Sequence, residues 1–358
     1  MASAGLNFAN ITPDNGAVRD MSQIIMANVL SPEQLGDIFN IFPRVFNGDK
    51  LAIIGEFGLL GKASQGCKPE YGTDAIGTAQ KVWDMAEWEI AEGICYKDLE
   101  ETFVKYLLRQ KTAIADATDN DYIDGIIRPR LETALYKMMF RLAWFGDKAA
   151  ADTSDGGVLT AGTDPDYFNL INGLWKQLFT IGTASAARVT PIAANSQASY
   201  AAQKSAILTS GAATSVINNM IMSAPAKLRG ASNQEIYISL GLKDALDFDL
   251  QTNNKGSELQ WRSLFAGIQE TTYQGIRMVA LPMWDEIIQT YEDSGTAYNL
   301  PYRAVYTTRE NLLLGLGGDN DIADIRIWFD ETDQMNYILA KDKLGALVAQ
   351  DDLLQLAY

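Results

Sequence analysis

Residues 122–147, YIDGIIRPRLETALYKMMFRLAWFGD, decide how the chain must fold. Ile127, Leu131, Ala134, Leu135, Met138 and Leu142 recur at steps of three and four, the spacing that lines one face of an α-helix. Pro129 suits the first turn, where a backbone N–H would lack an intrahelical partner in any case. Trp144-Phe145-Gly146 closes the run, with Gly146 placed as the C-terminal cap. The pattern predicts one long helix with a broad apolar stripe, and the flanking sequence must supply the surfaces that bury it.

Upstream, residues 51–96 read LAIIGEFGLLGKASQGCKPEYGTDAIGTAQKVWDMAEWEIAEGICY. Repeated glycines and β-favouring ends predict a long two-stranded hairpin, with Pro69-Glu70-Tyr71-Gly72 as its turn. In its second limb Val82, Asp84, Ala86, Trp88, Ile90 and Ile94 share a face in imperfect alternation. A hairpin of that length is marginal in water by itself, so it is expected to rest on something else, such as another subunit. Residues 1–48 read as an arm carrying short helices, and Leu99 to Ile114 as a further helix. Downstream, a second helix is expected over Tyr167 to Phe179, and residues 183–215 are rich in Ala, Ser, Thr and Gly. A helix through Val216 and Ile221 is stopped by Pro225. Ile236 to Leu240 reads as a strand, Lys243 to Leu250 as a helix, and Thr271 to Ala280 as two strand pieces around a glycine. Pro282 opens a helix that runs through Tyr291. The C-terminal part is strand-like, with Asp330-Glu331-Thr332-Asp333 as the turn of a hairpin. The class expected is α+β, in one interwoven body.

Composition narrows the function classes. The 358 residues include 45 Asp and Glu against 29 Lys and Arg, for a formal charge of −16. Such a balance argues against tight binding to a nucleic-acid backbone, which needs cations, but suits a wall beside DNA. Histidine is absent, which removes the commonest general base and zinc ligand. Cys67 and Cys95 match neither a zinc spacing nor a disulfide framework. The N-terminus lacks a secretory pattern, and no apolar run approaches the ~18 residues of a membrane span. Gly58-Leu59-Leu60-Gly61-Lys62-Ala63 is superficially similar to a phosphate loop. Glu56 stands where its first glycine belongs, and Ala63 replaces the magnesium-binding hydroxyl. The acidic runs Asp116–Asp124 and Asp319–Asp324 lack the glycine and final glutamate of a calcium loop.

Four collinear stretches resemble the major capsid proteins of tailed bacteriophages, the Hong Kong 97-type fold. They are Tyr122 to Leu135 running into Arg141-Leu142-Ala143-Trp144-Phe145-Gly146-Asp147; Asp166-Tyr167-Phe168-Asn169 through Lys176; Gly275-Ile276 through Leu281-Pro282-Met283-Trp284-Asp285; and Tyr302-Arg303-Ala304-Val305 with Asn311 to Gly315 and the closing hairpin. The resemblance implies an N-terminal arm (1–48), an extended hairpin loop (49–98), a spine helix and peripheral domain (99–182), an axial domain (183–318) and a return to the peripheral sheet (319–358). It further implies a non-enzymatic subunit of a virion shell, built as hexamers and pentamers around a DNA genome. No cofactor, metal or membrane is expected. A portal, possible decoration proteins and a separate scaffolding protein are implied partners. Scaffolding in trans is expected because only about fifty residues precede the hairpin and none form a heptad-like helix. Lys62, on the extended loop, and the aromatics Trp83, Trp88 and Tyr96 are the candidate assembly contacts. Lys62 is the only lysine near the middle of the hairpin's first limb, and a covalent cross-link through it, which would also need an Asn and a carboxylate on neighbouring subunits, is not part of the expectation. The rival readings are another virion protein, or a soluble carboxylate-dependent enzyme or binding module. Asp285 and Glu286 would be that enzyme's acid/base pair, although adjacent helical positions face different sides.

Overall fold

A computed structural model describes residues 35–57, 76–95, 128–253, 259–264, 267–317, 326–330, 332 and 335–358. From the N-terminal side, strand β1 (Asn40–Phe42) leads into β2 (Lys50–Phe57), β3 (Ile76–Val82) and β4 (Ala86–Cys95). Helices α1 (Arg128–Phe145) and α2 (Leu174–Ala184) follow, then β5 (Val189–Thr190), α3 (Tyr200–Ile207), α4 (Ala212–Ser223) and α5 (Ala226–Arg229). Next come β6 (Gln234–Ser239), α6 (Leu240–Asn253), β7 (Arg262–Ser263), β8 (Gln269–Tyr273), β9 (Ile276–Leu281) and α7 (Pro282–Tyr291). Strands β10 (Ala304–Thr308), β11 (Leu312–Leu316), β12 (Arg326–Asp330), β13 (Met335–Val348) and β14 (Leu354–Ala357) end the chain.

Two sheets carry the body. In the first, of seven strands, the order is β5-β14-β10-β6-β9-β8-β7, with β6 and β9 parallel and the connection between them running through α6. Its inner strands are apolar on both faces. Tyr237, Val279, Val305 and Leu356 point into a core shared with α1, α2 and α7. Ile236, Ile238, Met278, Ala280 and Tyr306 point into a second core with α4 and α6. A sheet covered on both faces must read as continuous apolar runs, which is how IYIS and MVAL read in the sequence. The second sheet has five strands, with β13 as its long member. Strand β11 pairs with its C-terminal half, β12 with its N-terminal half, and β4 along Met335 to Leu344.

Helix α1 is where the layers meet. From Met138 to Phe145 every residue except Arg141 is buried, whereas Ala134, expected on the apolar face, is exposed. Trp144 lies 4.6 Å, centroid to centroid, from Trp284 in an edge-to-face contact, and Trp175 lies 4.9 Å from Trp284. Each such pair adds about 0.5–1.5 kcal/mol beyond burial. These three indoles tie α1, α2 and α7 together. Gly146 ends α1 for a reason other than the expected left-handed cap. A Cβ there would stand 2.6 Å from the Ile171 carbonyl oxygen, and one on Gly173 would stand 2.8 Å from the Gly146 nitrogen. The backbones touch at this corner, and only glycine permits it. Helix α2 consequently starts at Leu174, with Pro165–Tyr167 forming a separate 3₁₀ turn, so the helix expected from Tyr167 is shorter at its front.

Helix α7 spans the predicted residues, with Pro282 in its first turn. Strands β8 and β9 flank the Gln274-Gly275 turn, and β12 and β13 pair from Asp330 with Met335, as the sequence indicated. Two readings need correction. The second limb of the hairpin is β3, not the whole of 76–96: the chain breaks at Trp83-Asp84-Met85, and β4 leaves to pair with β13. Residues 35–42, read as the end of an arm, are built into the body. Leu35, Ile38 and Phe39 are buried, and β1 lies parallel to β11. Arg277 fixes the same segment by pairing with Asp37 at 2.6 Å as well as with Glu235 and Glu270.

Candidate functional site

A cleft lies between the end of α1, α2 and the loop after α7. It encloses about 650 Å³ and is lined by Phe145, Val158, Trp175, Phe179, Arg303 and Glu292, among others. Its charges are closed on themselves. Lys176 pairs with Asp147 at 2.7 Å, and fully buried Arg303 pairs with Glu292. Arg303 also donates to the Leu300 and Asn299 carbonyls, and its guanidinium stacks over Phe145, Trp175 and Phe179. Burial pulls its pKa down and Glu292 pushes it back up, so the pair acts as a clamp joining the loop after α7 to β10. The signal that singles Arg303 out is a lone charge inside Leu300-Pro301-Tyr302-Arg303-Ala304-Val305-Tyr306.

The carboxylates offered as an acid/base pair are separated by the fold. Asp285 is half-buried and accepts the Leu240 and Gly241 amides, at 2.5 and 2.9 Å, at the start of α6. Glu286 is exposed and pairs with Lys137 at 2.7 Å. Asp285 therefore caps a helix instead of facing its neighbour. The described residues hold no group of three or more His, Cys, Asp or Glu placed to hold a metal ion. Among the described residues, no helix is long and apolar enough to cross a membrane.

The assembly candidates fall into two groups. Lys62 and Tyr96 lie outside the described residues, as do Cys67, the Pro69–Gly72 turn and the helix expected over 99–114. Trp83 and Trp88 are 4% and 3% exposed, inside the chain's own core. Trp83 sits against Phe42 and Gly315, with Met85, Leu313 and Leu347 around it. Trp88 joins the core of α1. Both indoles are covered by their own chain, so neither offers the free aromatic surface expected of a contact to a neighbour.

The geometry instead exposes the hairpin. Strands β2 and β3 form a two-stranded sheet of their own, with a bulge between Ile54 and Phe57. Its root is pinned on all sides. The Trp83 amide donates to the Asp49 carbonyl, the Met85 amide to Asn47, Lys81 pairs with Asp351 and Lys148 with Asp84. Phe46 and Val82, at this root, are 59% and 53% exposed. Elsewhere Trp328 remains partly exposed while packed on Tyr337, across the β12–β13 pair.

No protein family and no curated protein matches the chain by sequence. By structure it is similar to a chain in "Satellite phage P4 procapsid including size determination (Sid) protein", with a TM-score of 0.54 over 94% of this chain and 98% of that one at 13% identity. Weaker likenesses are to the capsid of the native GTA particle (TM-score 0.49, 12% identity, 91% of this chain and 90% of that one) and to Gordonia phage Cozz (0.47, 11%, 90% and 85%). The first of these shows the fold: the chain is folded like that procapsid chain. That is the Hong Kong 97-type fold which the helix, turn and closing-strand motifs resemble.

Proposed function

We propose that the chain is the major shell subunit of a tailed phage, assembling in many copies as hexamers and pentamers around a DNA genome. The observation that carries this reading is the likeness to a procapsid chain along nearly the whole of both chains. The β2–β3 hairpin supports it, because a two-stranded ribbon of this kind needs an outside surface to be stable. In this reading 1–48 holds the arm, 49–98 the extended loop, 99–182 the spine and peripheral domain, 183–318 the axial domain and 319–358 the return strands. The part of the arm after residue 34 belongs to the body. Neighbouring subunits would bury on the order of 2,000 Å² per interface, as obligate assemblies do. The subunit's work is structural, with its buried ion pairs holding the body rigid while hairpin and arm reach across to neighbours. Scaffolding and portal proteins, with decoration proteins where present, are the proposed partners, and the virion is the proposed location.

The test is direct. Protein recovered from producing cells should sediment as megadalton particles with closed outlines in negative stain. Expressed alone, it should yield capsomers, irregular sheets or tubes, and uniform shells once a scaffolding protein is co-expressed. A monodisperse monomer or dimer under both conditions overturns the reading.

A further inference from the structure

Arg141 stands apart from the other cations of the body. It is the single charged residue in the stretch Met138–Phe145, whose other members are all buried. Its guanidinium carbon lies over the Tyr167 ring at 5.7 Å from its centre and over that of Phe168 at 5.5 Å, within cation–π reach of both. Nε is sealed from solvent and has no hydrogen-bond acceptor, and no carboxylate among the described residues pairs with the side chain. The nearby acids are engaged elsewhere. Glu286 holds Lys137, one turn earlier on α1. Asp166 accepts from the Asn169 side chain, and Asp164 accepts the Asp166 amide within its own turn. Burial holds the pKa of Arg141 below its ordinary value, and the groups acting in the other direction are the hydroxyls of Tyr291 and Tyr167.

A half-buried guanidinium without a counter-ion is costly, and a structure retains one where a partner completes it. With Nε sealed, the Nη atoms are the donors left to bond, and a guanidinium takes a carboxylate bidentately. Tyr167, 61% exposed, offers an aromatic surface beside that edge, and Tyr and Arg are the side chains most enriched at the centres of interfaces. The chain itself is rich in the complementary group, with 45 acidic against 29 basic residues.

We propose that Arg141 and Tyr167 form a docking point for an Asp or Glu side chain of a second copy of this chain. This rests on the shell reading above, and deepens it by naming a contact outside the hairpin. Among the described residues of one subunit Arg141 is then an uncompensated charge, and in the proposed assembly it is half of an ion pair.

Arg141→Met and Arg141→Lys separate this from an internal role. Removing an unpaired, partly desolvated charge should leave the melting midpoint of the isolated subunit unchanged or raise it. The threshold concentration for forming any assembled product should rise about tenfold for Arg141→Met, the loss of one well-placed interfacial charge pair. Arg141→Lys, which keeps the charge but not the planar fork, should fall between. The gap between wild type and Arg141→Met should narrow as salt is raised. Three results overturn the proposal: variants that assemble at the wild-type threshold, a subunit that melts substantially lower as Arg141→Met, or duplex DNA binding that the substitution abolishes, which would make phosphate the partner. Failure of the wild type to assemble at all, with or without scaffold, would instead bring down the shell reading.

Discussion

Asp285 shows how a single side chain can make the subunit's stability depend on pH. Its carboxylate caps α6 through two backbone amides, yet burial pushes its pKa up to about 6, with Asp244 adding to the effect and the amides opposing it. An unfolded chain would hold the same group near 3.9, by the usual value of about 3.9 for Asp. Between these values the folded chain keeps a proton that the unfolded chain has released. The stabilising contribution is therefore complete below the unfolded value and is lost as pH rises through the folded one. Asp285→Asn keeps an acceptor for the amides and removes the titration. The difference in melting midpoint, variant minus wild type, should grow in the variant's favour from about pH 4 to about pH 7. A difference that stays flat across that range would show that Asp285 does not titrate there. Arg141 belongs to the same scale, and it was missed in the sequence because an arginine on an amphipathic helix ordinarily snorkels to water. The overlooked signal was Met138-Met139-Phe140 on one side and Leu142-Ala143-Trp144-Phe145 on the other. A helix end apolar on every face leaves its one charge nowhere to go.

Among the elements, those bounded by backbone chemistry were legible and those bounded by a change of partner were not. Pro282 fixes the start of α7, and the turn signal read at Asp330–Asp333 agrees with the pairing of β12 and β13 from Asp330 and Met335, because both signals act within a few residues. The break at Trp83-Asp84-Met85 has no such mark. Val82, Asp84, Ala86 and Trp88 keep a period of two straight through it, although β3 pairs with β2 and β4 pairs with β13. Alternation reports that a strand has two faces, not which neighbour it borders. The same ambiguity placed Trp83 and Trp88 at a contact, since aromatic side chains serve cores and interfaces equally. Residues 58–75 join β2 to β3, while the root is held separately by Trp83, Met85 and the Lys81–Asp351 and Lys148–Asp84 pairs. Replacing 58–75 with a two-residue Asn-Gly turn should give a soluble subunit that melts cooperatively within a few degrees of wild type and forms no shells. Normal shells from that variant would remove the hairpin from assembly. Loss of folding would show that it serves the subunit itself.

For the whole molecule, net charge and apolar interface act in opposition. Each copy carries a formal −16, so bringing copies side by side in the proposed assembly gathers like charge, while burying exposed apolar surface such as Phe46 and Val82 would favour contact. The two respond differently to salt. Screening shortens the reach of the repulsion from about 30 Å at 0.01 M to about 8 Å at 0.15 M, whereas apolar burial is little changed over that range. The threshold concentration for assembly should therefore fall as sodium chloride is raised from about 0.01 to about 0.15 M, and level off beyond, once the Debye length is shorter than the spacing of exposed charges. A pair such as the one proposed at Arg141 is partly buried and screened less, so it offsets this trend without reversing it. In the proposed shell the same acidity would keep the wall from adhering to enclosed DNA, because a polyanion finds few cations there. Light scattering over a salt series decides the matter. A threshold that climbs steadily with salt would mean that exposed ion pairs, and not apolar contacts, hold the copies together.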